Sequence, residues 1–204
     1  MIMNRRKWRS RRTHTVTDLV RFQDQQLYRI AAQASLYPEV IDLPATDPAR
    51  ESKIRSSMYS GADLHRSITA AVLGKIPMPA FAAIARRLLG WLRQNGAARI
   101  EPEFALECSD LHGQCDLFVH GATFSHRGIV EVKACNELPS APNADDRLQL
   151  ALYVHAAASQ IRGDDAPWGA LVYCSLQSGA LRVFLWKTIH VHALAVGMAI
   201  RMAA

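Results

Sequence analysis

No stretch of the chain approaches the roughly 20 consecutive apolar residues that a membrane-crossing helix needs, and no secretory-type apolar segment follows the N-terminus. A cytoplasmic protein is expected, with export as an effector through a receptor-read signal left open. Cysteine is scarce and unpaired in pattern. Cys108, Cys115, Cys135 and Cys174 contain no C-x-x-C spacing, which argues against a disulfide framework or a zinc knuckle and for reduced thiols. The four tryptophans, Trp8, Trp91, Trp168 and Trp186, lie too far apart for a stripe on which single-stranded bases would stack. Packing is their expected role. Acid is missing altogether from the first twelve residues, which carry Arg5, Arg6, Lys7, Arg9, Arg11 and Arg12. The remaining 18 basic residues equal the 18 acidic ones, so the net charge of +6 belongs to this arm and the body is neutral. Two readings of the arm stand side by side: a solubilising segment, or a nucleic-acid-binding arm that wraps DNA.

A chain of 204 residues, half of them hydrophobic, buries one sizeable core and is short for two. Residues 1–15 read as a flexible basic arm and 16–204 as a single domain without internal repeats. Thr17-Asp18 caps an expected helix over about 17–34, which Tyr37-Pro38 stops. Residues 38–57 read as an irregular connector. Two further helices follow at 60–74 and 78–95, the second with Phe81, Ile84, Leu88, Trp91 and Leu92 on one face and Gly96 as terminator. The period then shortens to two, giving strands over 99–106, 115–120 and 128–134. A helix over 145–161, strands over 168–175 and 181–187, and an apolar helix over 189–202 complete the order.

Glu131 and Lys133 are two apart on an expected strand, so both side chains share a face while Val130 and Val132 pack into the other, leaving one face charged and one in the core. Asp116 lies on the preceding strand and reaches Glu131 if the two strands are neighbours. Two carboxylates about 4 Å apart repel by roughly 4 kcal/mol at an effective dielectric near 20. A divalent cation would remove that cost, and hard oxygen ligands favour magnesium or manganese. With a lysine alongside to orient water or stabilise developing charge, the set suffices for phosphodiester hydrolysis. The triplet D/E-x-K alone means little, since it arises by chance roughly once per one or two hundred residues.

Here the triplet stands in an ordered series: His65 on an upstream helix, GQCD at 113–116, EVK at 131–133, and QLALY at 149–153, whose Gln149 and Tyr153 are four apart on one helical face. Together with TVTDLVRFQ at 15–23, this series resembles the RecB-like branch of the PD-(D/E)XK nuclease superfamily over roughly residues 15–187. The resemblance implies an α/β, restriction-endonuclease-like core, with a mixed central sheet flanked by helices and a helical N-terminal region. It further implies a Mg2+- or Mn2+-dependent deoxyribonuclease acting through metal-activated water. His65 would be a metal ligand, Asp116 and Glu131 the bridging carboxylates, Val132 a ligand through its backbone carbonyl, and Lys133 the catalytic lysine. Gln149 and Tyr153 would position the nucleic acid or the lysine. Cys115 stands where the superfamily's name has proline. The cysteines of the iron–sulfur members are absent, so no cluster is expected.

Blander readings accompany several of these residues. His65, between Leu64 and Ile68, also fits a core-edge histidine, and Gln149 and Tyr153 also fit the polar edges of a helix whose core residues are Leu148, Leu152 and Val154. Glu103 is a solvated strand residue or a carboxylate for a second metal. His112, His120, His126, His190 and His192 show no metal-ligand spacing and are expected to be exposed and without function. A non-catalytic nucleic-acid-binding or assembly module of the same fold is the physical rival. It predicts that Asp116, Glu131 and Lys133 are displaced or paired elsewhere and that magnesium does not stabilise the protein. A biological rival keeps the chemistry as an antibacterial toxin held by an immunity protein, and an activating partner, DNA against RNA, and oligomeric state are open at this level.

Overall fold

Segments rich in aliphatic and β-branched residues, Ile129 to Val132 with Glu131 as the one polar residue and Ala170 to Val172, suit strands covered on both faces, and these two segments sit at the centre of the sheet. The structure, a computed structural model, describes residues 14–15, 38–46, 61–108, 111–121, 127–160 and 167–187. Its strands are β1 (His14–Thr15), β2 (Glu39–Leu43), β3 (Arg99–Cys108), β4 (Leu111–His120), β5 (Arg127–Cys135), β6 (Trp168–Ser175) and β7 (Leu181–Trp186). Its helices are α1 (Gly61–Val72), α2 (Ala82–Gln94) and α3 (Ala144–Gln160). The strands form one sheet in the order β1-β4-β5-β6-β7-β2, with β3 hydrogen-bonded to β4. β1–β4 and β5–β6 are parallel and the other pairs antiparallel. The parallel β5–β6 pair requires a long crossover, and that crossover contains α3.

Each face of the sheet is covered. Leu111, Phe118, Ile129, Leu171 and Phe184 pack against α3, while Leu117, Val119, Val130, Val132, Val172 and Val183 pack against α1 and α2. α3 is buried around its whole circumference from Leu150 to Ala157, as a helix apolar on all sides must be. Among the described residues no helix is long and apolar enough to cross a membrane, and none of the four cysteines is in a disulfide.

The expected helices and strands within the described residues are present, with two differences. β4 starts at Leu111 rather than Cys115, because β3 runs on to Cys108 and pairs with it as far as Cys108↔Leu111. The second difference is a correction: the segment read as an irregular connector contains β2, paired antiparallel with β7. Local sequence hides this strand because its support is non-local. Asp42 takes Arg182 at 2.6 Å and Glu39 takes Lys187 at 2.7 Å across the pair. His14–Thr15, at the end of the expected flexible arm, pair in parallel with Leu111–His112. The rest of the basic arm (Arg5, Arg6, Lys7, Arg9, Arg11 and Arg12), the helix expected over 17–34 and the one over 189–202 lie outside the described residues.

Gly128 stands beside Trp168 in the β5–β6 register, and a Cβ there would lie 1.9 Å from the fully buried indole. Gly128→Ala is therefore expected to destabilise the sheet by about 3 kcal/mol or more. In thermal unfolding this appears as a Tm lower by roughly 6–12 °C.

Candidate active site

The site forms where β4 and β5 part. Their ladder runs from His120↔Arg127 to Leu117↔Val130 and stops. At the next position two side chains take over from main-chain partners: the Asp116 N–H donates to Glu131 Oε1 at 3.1 Å, and the Val132 N–H donates to Asp116 Oδ2 at 2.7 Å. The two carboxylates thus hold the strands together at the point where the strands separate.

The parting coincides with an inversion of side-chain alternation in both β3 and β4. Cys115 and Phe118 both face α3, as do Phe104 and Leu106, whereas Ile100, Leu117 and Val119 face α1 and α2. An odd spacing on one strand and an even spacing switching faces on the other require a local irregularity, and Glu103 supplies it with φ of +51°. It follows Pro102, and it lies opposite Asp116 between the registered pairs Pro102↔Leu117 and Phe104↔Cys115. Pro102 is tolerated because β3 has only β4 as a partner in the described sheet. Glu103 Oε1 accepts a 3.5 Å bond from Thr69, one turn beyond His65 on α1, and its carbonyl accepts from Gln114 Nε2 at 2.7 Å.

His65 Nδ1 lies 2.9 Å from Asp116 Oδ1. The hydrogen-bonded carboxylate holds the imidazole above its ordinary pKa, against burial, which pulls the other way. Glu131 is 2% exposed. Burial, reinforced by the Asp116 carboxylate, pushes its carboxyl well above the usual range. The face expected to be charged does carry Glu131 and Lys133, but α3 covers it, so that Glu131 is buried while Lys133 stays partly exposed. Lys133 Nζ donates to Gln149 Oε1 at 2.5 Å and lies 3.7 Å from Glu131 Oε2. Gln149 Nε2 in turn donates to the Tyr153 hydroxyl at 3.4 Å, and burial of that phenol pushes its pKa up to about 12. Gln149 thus contacts the lysine directly, and Tyr153 contacts Gln149. Cys115, fully buried beside the two carboxylates, has its thiol pKa pushed up by burial and by Glu131, so it is held neutral.

Among the described residues no three His, Cys, Asp or Glu side chains stand as a ready-made metal cage. The donor set nonetheless fits a hard divalent cation. Asp116 links an imidazole to a second carboxyl group, each carboxyl oxygen keeps a further lone pair, and Glu131 is a buried carboxyl beside Asp116 whose ionised form a cation would stabilise. A strand residue's N–H and C=O leave along the same edge, so the Val132 carbonyl shares the β4-facing edge with the N–H that meets Asp116.

Asp146 stands out in the sequence only for its charge at a helix start, yet its Oδ1 lies 3.5 Å from Lys133 Nζ and its Oδ2 accepts from the Tyr173 hydroxyl at 2.5 Å. The spacing 146, 149, 153 is one helical face, and that is the signal that could have found it. His120 also departs from expectation. It lies within β4 and contacts Glu101 at 2.5 Å, while His112 is exposed on the same strand. His126, His190 and His192 are outside the described residues.

No curated protein matches the chain. Among solved structures, a crystal structure of a protein designated SSO0001 is similar at 16% identity and a TM-score of 0.42, over 98% of this chain and 79% of that one. The sequence profile described as PD-(D/E)XK nuclease superfamily matches residues 20–193, most of the chain including β4, β5 and α3, and so the chain belongs to that superfamily, whose restriction-endonuclease-like α/β fold is the mixed sheet with flanking helices described above.

Proposed function

We propose that the protein is a metal-dependent deoxyribonuclease of the RecB-like branch, hydrolysing phosphodiester bonds in DNA. The observation that carries this reading is the pair of carboxylates at the parting of β4 and β5 with the Lys133 ammonium beside them. His65, Asp116, Glu131 and the Val132 carbonyl would hold Mg2+ or Mn2+, with Glu103 a candidate for a second ion. When bound, the cation supplies Lewis acidity for the scissile phosphate and lowers the pKa of water.

The protein's own groups supply the rest. Lys133 presents an ammonium to the charge that develops on the phosphoryl oxygens, and it does so from a rigid strand in a largely dry setting, where such an interaction is stronger than in water. Gln149 fixes the direction of the ammonium, and Tyr153 holds Gln149. Glu131 and Asp116 keep a fixed separation because each also receives a backbone N–H of the opposite strand. The basic arm would track the phosphate backbone of the same duplex.

Cleavage of circular and linear DNA and of RNA by the purified protein tests the reading. Mg2+ is expected to support DNA cutting, and excess chelator to stop it. Lys133→Ala and Glu131→Ala are each expected to lower kcat by about 100-fold or more. Folded wild type that cuts neither DNA nor RNA with Mg2+ would turn the reading toward the non-catalytic module.

The buried charge gives a second, activity-independent test. At a concentration 100 times its dissociation constant, Mg2+ should stabilise wild type by about 2.7 kcal/mol, and it should stabilise Glu131→Gln much less. In chelator the sign reverses. Because the Glu131 carboxyl titrates above its ordinary range, its contribution is fully present below the unfolded-state value and is lost as pH rises through the raised folded value. Glu131→Gln, which carries no such charge, should therefore gain on wild type in Tm as pH increases through that window.

A further inference from the structure

Lys133 is met from α3 by two residues, and the family motifs noted in the sequence include only one of them. Gln149 takes its ammonium at 2.5 Å, and Asp146, one turn earlier on the same face, lies 3.5 Å away through Oδ1. The second oxygen of Asp146 is anchored. It accepts from the Tyr173 hydroxyl at 2.5 Å, and that hydroxyl itself accepts the Asn143 N–H at 3.0 Å. Tyr173 is the residue registered with Lys133 across the β5–β6 pair. Its ring is buried, and its hydroxyl reaches past the lysine to Asp146.

These contacts have a direction. Left to Coulomb attraction alone, an ammonium two residues from a buried carboxylate on the same strand would lean onto Glu131. Instead it is shared: Glu131 Oε2 lies at 3.7 Å and Asp146 Oδ1 at 3.5 Å, while its short hydrogen bond goes to Gln149 on α3. Asp146 is suited to that opposing pull because its Oδ2 is held by the Tyr173 hydroxyl of β6 and by Asn143 Nδ2, which donates to it at 3.3 Å, and a carboxylate without such anchors would follow the lysine.

We propose that Asp146, anchored by Tyr173 and Asn143, is a positioning residue for Lys133: it balances the pull of Glu131 and holds the ammonium between β5 and α3, within reach of both carboxylates. The catalytic consequence rests on the nuclease reading given above, whereas the clamp itself does not. Asp146 touches neither phosphate nor cation in this role and acts through the lysine.

The test uses the full chain, with Asp146→Asn, Asp146→Glu and Tyr173→Phe compared with wild type by thermal unfolding, DNA-cleavage kinetics with Mg2+, and proton–nitrogen NMR of the lysine ammonium groups. Lys133→Met assigns the Lys133 signal. A clamped ammonium exchanges its protons slowly and gives a resolved signal. Asp146→Asn is expected to broaden or remove it and to lower kcat by roughly 10- to 100-fold, with KM within about twofold of wild type and Asp146→Glu recovering part of the loss. Tyr173→Phe, which retains the carboxylate and removes the shorter of the two bonds to its Oδ2, should do the same to a smaller degree, and Tyr173→Phe combined with Asn143→Ala, which removes both, to a larger one. A Lys133 signal unchanged in a folded Asp146→Asn protein overturns the clamp whatever the kinetics. If Asp146→Asn fails to fold, the Tyr173→Phe/Asn143→Ala double variant, which removes both bonds to Asp146 Oδ2, decides the matter, and an unchanged signal in that variant likewise overturns the proposal. Wild type that cuts neither DNA nor RNA with Mg2+ while its Lys133 signal still depends on Asp146 upholds the clamp and overturns the nuclease reading.

Discussion

Two hydrogen bonds from backbone N–H groups to carboxylates, Asp116 to Glu131 and Val132 to Asp116, hold the centre of this fold together. They occur where main-chain pairing between β4 and β5 gives out, so each carboxylate is at once a structural acceptor and a charged group available to a ligand. A neutral ladder would have closed the gap and left no site. A gap without side-chain acceptors would have left buried N–H groups unpaired, at a cost of about 1–3 kcal/mol each. The arrangement places charge inside the sheet while meeting the hydrogen-bonding needs of the strands around it.

The buried electrostatics follow from that placement. Asp116 is shared between His65 and a backbone N–H, Glu131 between a backbone N–H and the approach of Lys133, and Lys133 among Glu131, Gln149 and Asp146. No member has a single partner, so any change at one is felt by the others. Removing one charge from such a set leaves its counterpart uncompensated, and alanine at Glu131 would in addition remove the acceptor of the Asp116 N–H, so an isosteric neutral substitution isolates the charge where alanine does not.

Much of this is legible in the sequence because it is local. Val130 and Val132 alternating with Glu131 and Lys133 mark β5, the spacing of Gln149 and Tyr153 marks one face of α3, and the order of His65, GQCD, EVK and QLALY links segments that no local rule connects. What escapes is settled by contact between distant segments. β2 depends on Arg182 and Lys187, more than 130 residues away from Asp42 and Glu39. The burial of Glu131 depends on α3 covering the face that alternation alone leaves to solvent. Asp146 reads as a helix-start acid because that is a sufficient reason for an aspartate there, and only Tyr173 across the crossover reveals its second task. The simultaneous change of face in β3 and β4 is invisible in either strand by itself.

Glu103 is, among the described residues, the only non-glycine with a positive φ. A left-handed conformation costs an ordinary residue about 1–2 kcal/mol, a cost glycine does not bear. Glycine at 103 would therefore suit the backbone better, while removing the carboxylate that reaches Thr69 one turn from His65. Stability and the site thus favour different side chains at this position. A search for hardier variants of this protein, made without regard to activity, would be drawn to residue 103 and would remove a carboxylate from the neighbourhood of Asp116.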